Sequence, residues 1–222
     1  MEKRKIVIGD YDTAVYGWTL TALRLSPAVH KSQYVEKPLG DGTWDISTAL
    51  TDGVPRYGHR TLEATLELSE GTRDEREAVI RGMVNRLDGL RWDIHLPDDD
   101  RYHLSGRVSV VREYNNLAYA AVSVSAVCEP WKTANAPTVI TLAASASEQA
   151  ARLCNGGRRV LFPALEVRGS DASIRLGFCG DSAVLTAGSH RWPFLPLTPG
   201  SHALTYSGTG ALVITYREAV LE

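Results

Sequence analysis

The sequence predicts a mainly β protein with one α-helix, followed by a second part that is all β. Three observations carry that reading. Several runs alternate apolar and polar residues, one run has a helical period behind a capping box, and the last third is short apolar runs punctuated by Gly and Pro. The chain has 222 residues, which suits one large β domain or two small ones.

The first forty residues hold short apolar runs at Ile6-Val7-Ile8, Ala14 to Trp18 and Leu20 to Leu25, broken by Ser26-Pro27. They predict short strands and extended arms. Lys37-Pro38-Leu39-Gly40 and Asp41-Gly42 predict a turn. Thr61 to Leu68 places Leu62, Ala64, Leu66 and Leu68 on one side and Thr61, Glu63, Thr65 and Glu67 on the other, a half-buried strand with one wet face. Thr72-Arg73-Asp74-Glu75 is a capping box. Val79, Ile80, Met83, Val84 and Leu87 then recur at helical spacing, and Gly89 is placed to end the helix.

Leu90 to Leu96 reads as a strand that stops at Pro97-Asp98-Asp99-Asp100. Tyr102 to Val111 and Ala118 to Val127 read as a hairpin across Tyr114-Asn115-Asn116. Pro130 and Pro137 bracket a linker, giving domains 1–131 and 138–222. Beyond it, Val139 to Leu142, Val160 to Arg168, Ile174 to Phe178, Val184 to Thr186, His202 to Tyr206 and Ala211 to Arg217 predict the strands of a sandwich. The Ala/Ser-rich stretch from Ala143 to Ala151 reads as a loop or a weak helix.

Charge is nearly balanced, 24 Lys and Arg against 26 Asp and Glu, which argues against a dedicated nucleic-acid binder. No apolar run reaches the ~20 residues of a membrane-spanning helix. The start, Met1 to Gly9, lacks the apolar stretch of a signal peptide. Cys128, Cys154 and Cys179 are odd in number and lack CxxC spacing, so reduced thiols in a cytoplasmically made protein are expected.

Motifs of catalysis are missing: there is no GxSxG, HExxH or Walker lysine loop. Cys154 has no histidine partner in sequence for a nucleophile role. The expectation is no enzyme, no cofactor and no metal. His95 and His103 flank the turn of Asp98, Asp99 and Asp100, where a metal site competes with a plain solvated acidic turn. Tyr57 and Arg60 are candidate subunit contacts, since Tyr and Arg are favoured at hot spots; strand entry is the structural alternative. Trp92 reads as a core residue. Trp192 is a candidate glycan contact, or else a cover for the sandwich.

The order of these pieces resembles a family. Gly40-Asp41-Gly42-Thr43-Trp44-Asp45-Ile46-Ser47 is similar to a Gly-x-Asp-Gly-x-x-Asp-x-Ser segment, and Tyr57-Gly58-His59-Arg60 to a Tyr-x-x-Arg strand entry. Tyr102 to Val108 is similar to a Tyr-Tyr-x-Gly-Arg-Val strand, departing from it at His103 and by the extra residue in Leu104-Ser105. Cys128-Glu129-Pro130-Trp131 matches a Cys-x-Pro domain close, and Gly208 to Glu218 resembles a final strand.

The family is the distal tail protein (Dit) of long non-contractile-tailed phages and prophages. The resemblance spans nearly the whole chain and is weakest over residues 1–34 and 143–160. It implies an N-terminal β-sandwich or split-barrel-like domain with one helix that closes into a hexameric ring around the tail channel. It also implies a galectin-like β-sandwich projecting outward. Such a ring is a virion structural protein, the baseplate hub at the tail tip, assembled in the host cytoplasm. Its partners are itself, the tail tube and the tip and adhesion proteins, with DNA passing through unread and no membrane involved. Longer members carry inserted carbohydrate-binding modules, for which this chain has no room. The alternative is a carbohydrate-binding module that recognises a host-surface glycan through Trp192.

Overall fold

The computed structural model describes residues 4–51 and 53–221; the basic start at Met1, Glu2 and Lys3 lies outside them. Two compact units emerge, Met1–Lys132 and Thr133–Glu222. The protein is mainly β, with one helix among the described residues.

In the first unit the strands are β1 (Val7–Ile8), β2 (Tyr11–Asp12), β3 (Thr19–Leu25), β4 (Tyr34–Glu36), β5 (Thr43–Asp45) and β6 (Arg60–Leu68). Helix α1 (Arg73–Leu87) precedes β7 (Arg91–His95), β8 (Tyr102–Asn115) and β9 (Ala120–Cys128). Seven of them form one antiparallel path, β2-β1-β7-β8-β9-β6-β3. Strands β6, β8 and β9 alternate as the sequence predicts, and their buried rows include Leu62, Leu66, Leu104, Val108, Val122 and Val124. Helix α1 closes that face with Ile80, Met83 and Leu87. Burying large aliphatic side chains in this way contributes ~1.5–3 kcal/mol each before chain entropy is counted.

The helix begins where the sequence places it. Thr72 Oγ1 accepts from the Glu75 backbone at 3.3 Å, and Glu75 Oε2 accepts from the Thr72 backbone at 2.7 Å. Asp88 caps the other end, and Gly89 follows in the left-handed region at φ 73°. The Gly89 N–H donates to the Val108 carbonyl, and Asp88 Oδ1 accepts from Val110 N at 2.9 Å. The helix end is thereby fixed to β8.

One buried helix residue has no apolar character. Arg76 is 2% exposed and lies one turn before Ile80 on the buried face. Its guanidinium donates to the carbonyls of Gly71 (2.7 Å), Asn116 (2.6 Å) and Leu117 (3.3 Å). It therefore ties the helix start to the β8–β9 turn, and those carbonyls satisfy the buried guanidinium.

The second unit uses β11 (Thr138–Ala143), β12 (Gln149–Asn155), β13 (Ala164–Phe178), β14 (Asp181–Thr186), β15 (Gly188–Arg191), β16 (Gly200–Tyr216) and β17 (Ala219–Val220); β10 (Lys132–Ala134) spans the unit boundary. The sequence reads four strands where the structure has two long ones. Val160 to Arg168 and Ile174 to Phe178 largely merge into β13, and His202 to Tyr206 and Ala211 to Arg217 into β16. The Ala/Ser-rich stretch is no helix: 144–148 is irregular, and Gln149 begins β12.

β13 and β16 pair along most of their lengths, with the register slipping between Arg168 and Ser173. On one side of that slip they pair with β11 and β15; on the other, with β12 and β14. The two halves share one core, which includes Leu165, Val167, Leu212 and Ile214 from the first and Ile174, Leu176, Leu204 and Tyr206 from the second. A single sheet thus folds at a corner into a sandwich. Gly208 makes the corner possible. It sits at φ 134°, and a Cβ there would lie 2.0 Å from the Ser173 carbonyl oxygen.

Two glycine substitutions are expected to act with opposite signs. Gly208→Ala lowers the stability of the second unit by about 2–4 kcal/mol, since both φ and the Ser173 carbonyl forbid a side chain. Gly82→Ala, in an open helical position, stabilises the first unit by ~0.5–1 kcal/mol. Urea titration followed by circular dichroism reads both. Arg76→Met is expected to cost about 2 kcal/mol by removing the hydrogen bonds that tie the helix start to the β8–β9 turn, and Arg76→Lys not to restore it, because one ammonium cannot reproduce the guanidinium fork.

Candidate assembly surface

Between β3 and β6 the chain leaves the sheet and returns. Ser26 N donates to the Thr61 carbonyl at 2.9 Å, and Thr61 N donates to Ser26 Oγ at 2.7 Å. Further out, Gly58 N donates to the Val29 carbonyl and Lys31 N to the Arg56 carbonyl, both at 2.8 Å, and His30 bridges Tyr57. Beyond them Gln33 N donates to Ser47 Oγ at 2.7 Å. The outer end is β4 paired with β5, a two-stranded sheet of its own with Tyr34 opposite Asp45 and Val35 opposite Trp44. The turn predicted at Asp41-Gly42 closes it, with Gly42 at φ 79°.

This arm exposes apolar side chains. All six residues of β4 and β5 are exposed, Trp44 at 52%. Val29, Tyr34, Val35, Leu39 and Leu50 on the same excursion are exposed as well. Scattered apolar residues on a surface need no explanation, but a run of them on one hairpin makes it a candidate contact surface.

The two residues expected at a subunit contact lie at the base of this arm, and they differ. Arg60 is only 5% exposed, and its Nε donates to the Ser26 carbonyl at 2.8 Å. It locks the arm's base from inside its own chain and offers no head group to a partner. Tyr57 is half-buried, edge-on to His30 (5.8 Å between ring centres) and to Trp131 (5.4 Å). Sequence reasoning drew attention to the base and passed over the tip. The tip carries Tyr34, Val35 and Trp44 on strands that, among the described residues, pair only with each other.

Trp192, the expected glycan contact, is 8% exposed and belongs to the core with Leu195 and Leu197. Its ring packs into the core of the sandwich. Among the cysteines, Cys128 is buried and its thiol is pushed up to about 11 by desolvation, while Cys154 and Cys179 are exposed. All three thiols are free.

The aspartates of the predicted acidic turn are engaged elsewhere. Asp98 pairs with Arg4 and Asp99 with Lys132, each at 2.7 Å. His95 and His103 do come together, directly opposite each other in the β7–β8 pair. Burial, followed by the neighbouring His103, holds His95 below the usual imidazole range. Among the described residues, no three His, Cys, Asp or Glu side chains converge closely enough to hold an ion as they stand.

Known proteins resemble this chain in fold. The crystal structure of Dit from phage SPP1, described as a paradigm of the hub adsorption apparatus in phages infecting Gram-positive bacteria, superposes with a TM-score of 0.70. The match covers 98% of this chain and 99% of that one at 12% identity. At that identity the likeness establishes the fold. A chain of the phage p2 baseplate in its activated conformation with Sr aligns over 97% of this chain and 98% of its own at 8% identity, with a TM-score of 0.40. No protein-family model matches the sequence, and no curated protein matches it.

Because the arm's side chains lack contacts in their own core, removing them is expected to leave the fold intact. Trp44→Ser changes unfolding free energy by less than about 0.5 kcal/mol. The difference fluorescence spectrum between the parent and this variant is that of a water-exposed indole in dilute solution.

Proposed function

We propose that this protein is a structural hub of a phage or prophage tail tip, a Dit-type subunit that closes into a six-membered ring. The ring joins the tail tube to tip and adhesion proteins, and the second unit, a galectin-like sandwich, serves as the outward platform. Its location is the virion tail tip, reached after assembly in the host cytoplasm. The observation that carries this reading is the end-to-end likeness of fold to the SPP1 Dit protein, at a TM-score of 0.70 over both chains.

The arm supports it independently. A hairpin that exposes Tyr34, Val35, Leu39 and Trp44 has its partner outside its own chain. In the ring, the arm of one subunit lies on a different surface of the next. That contact is heterologous, and a heterologous contact whose rotation closes gives a ring. Tyr57 and Trp131 pack edge to face at the arm's base. Near-neutral charge suits such a part, since neither a nucleic acid nor a membrane surface has to be recognised.

Size-exclusion chromatography with light scattering, followed by negative-stain microscopy, tests the proposal. The expected result is a particle of six protomers with a central opening. Leu39→Asp combined with Trp44→Asp is expected to yield monomers with an unchanged far-ultraviolet dichroism spectrum. A parent protein that stays monomeric at the highest attainable concentration, or a ring indifferent to the double substitution, counts against it.

A further inference from the structure

We propose that His95 and His103 form a two-histidine clamp for a borderline transition-metal ion such as Ni²⁺, Cu²⁺ or Zn²⁺, with Asp93 as a third donor. The clamp is independent of the hub reading.

The strands build it. Ile94 of β7 is opposite Leu104 of β8, and both are fully buried. Residues one step away on each strand therefore point to the opposite face. On that face His95 is directly opposite His103, and Asp93, two residues before His95, faces the same way. A donor at i and i+2 of one strand, with a third on the adjacent strand, is an arrangement that lets three side chains meet at one point above a sheet.

The distances fit an ion. Two imidazoles bound at 2.0–2.1 Å in a tetrahedral arrangement place their ring centres roughly 5 Å apart. The His95 and His103 ring centres are 5.5 Å apart, with the rings tilted at 48°. Ligand atoms in such a shell lie roughly 3.3 Å from one another. His103 Nε2 is 3.8 Å from Asp93 Oδ1, so a small side-chain rotation brings the carboxylate in.

The surroundings provide access and leave coordination positions for water. Asp93, His95 and Ser105 line a shallow groove of about 670 Å³ together with Gly9, Asp10 and Arg91. The Asp93 side chain is 57% exposed, whereas that of His103 is 12% exposed. An ion would thus be held by rings on the sheet side and open to water on the other. Among the described residues that line it, the cation Arg91 is paired with Glu129. Imidazole favours the later first-row metals over Mg²⁺, which prefers oxygen donors and its own water.

Thermal unfolding of the full chain in NiCl₂, ZnCl₂ or MgCl₂, with calorimetric titration of NiCl₂, tests the clamp. At millimolar concentration Ni²⁺ and Zn²⁺ are expected to raise Tm by roughly 5 °C and Mg²⁺ to leave it unchanged. Titration is expected to give one Ni²⁺ per chain. His95→Gln and His103→Gln, each checked by dichroism for an intact fold, are each expected to abolish the shift, and Asp93→Asn to weaken binding severalfold. No Ni²⁺ effect on the parent protein overturns the proposal without any variant. A shift that survives in both histidine variants overturns it too, since the ion is then held elsewhere, for instance at the exposed thiols.

Discussion

A hairpin only two strands wide presents both faces to water, so the apolar side chains of β4 and β5 have nothing in their own chain to bury against. Everything around the arm is arranged to hold it out regardless. The Ser26–Thr61 hydrogen bonds begin it at the sheet edge, Arg60 locks its base, and the ladder through Val29, Lys31 and Gln33 stiffens it outward. Such a ribbon is marginal alone and is stabilised when its faces are covered.

The two cores solve a different problem. In the first unit, helix α1 packs on β8 and β9 and adds Ile80, Met83 and Leu87 to the core of the sheet. The helix is fixed at both ends: by its capping box and Arg76 at the start, by Asp88 and Gly89 at the end. In the second unit a sheet covers itself by folding at a corner. That requires a short stretch where two paired strands slip register and where backbone approaches backbone too closely for side chains. The pair Gly208 and Gly210, with Gly169 across from them, supplies it.

Much of this was legible because period-2 and period-3.6 patterns survive wherever one face is buried and the other wet. β6, the β8–β9 hairpin and α1 with its cap are of that kind. What escaped reading has physical causes. Gly169, Gly208 and Gly210 fall in or beside the gaps between the predicted strands, yet they are corners within β13 and β16, because a glycine signals an unusual φ without saying whether the strand goes on. Arg76 breaks the apolar stripe, and nothing local says that its charge is matched by carbonyls 40 residues away. Arg60 and Trp192 look like contact residues by type, but exposure is set by tertiary packing, and both are buried. The His95–His103 pair needed the β7–β8 register, which no spacing along the chain reveals.

A fold shared end to end with a phage hub at 12% identity shows how few residues the architecture needs. The features that matter are patterns: a wet-faced strand, a capped helix, a folded sheet and an arm without a core. The proposed ring requires that another copy of the chain cover this arm. Hydrogen exchange read by mass spectrometry, on dilute and on concentrated protein, addresses it most directly. The account predicts that amides from 34–36 and 43–45 slow by about tenfold or more on assembly while those of β6, β8 and β9 do not change. Equal exchange of the arm at both concentrations, in a sample that light scattering shows to be assembled, would contradict it.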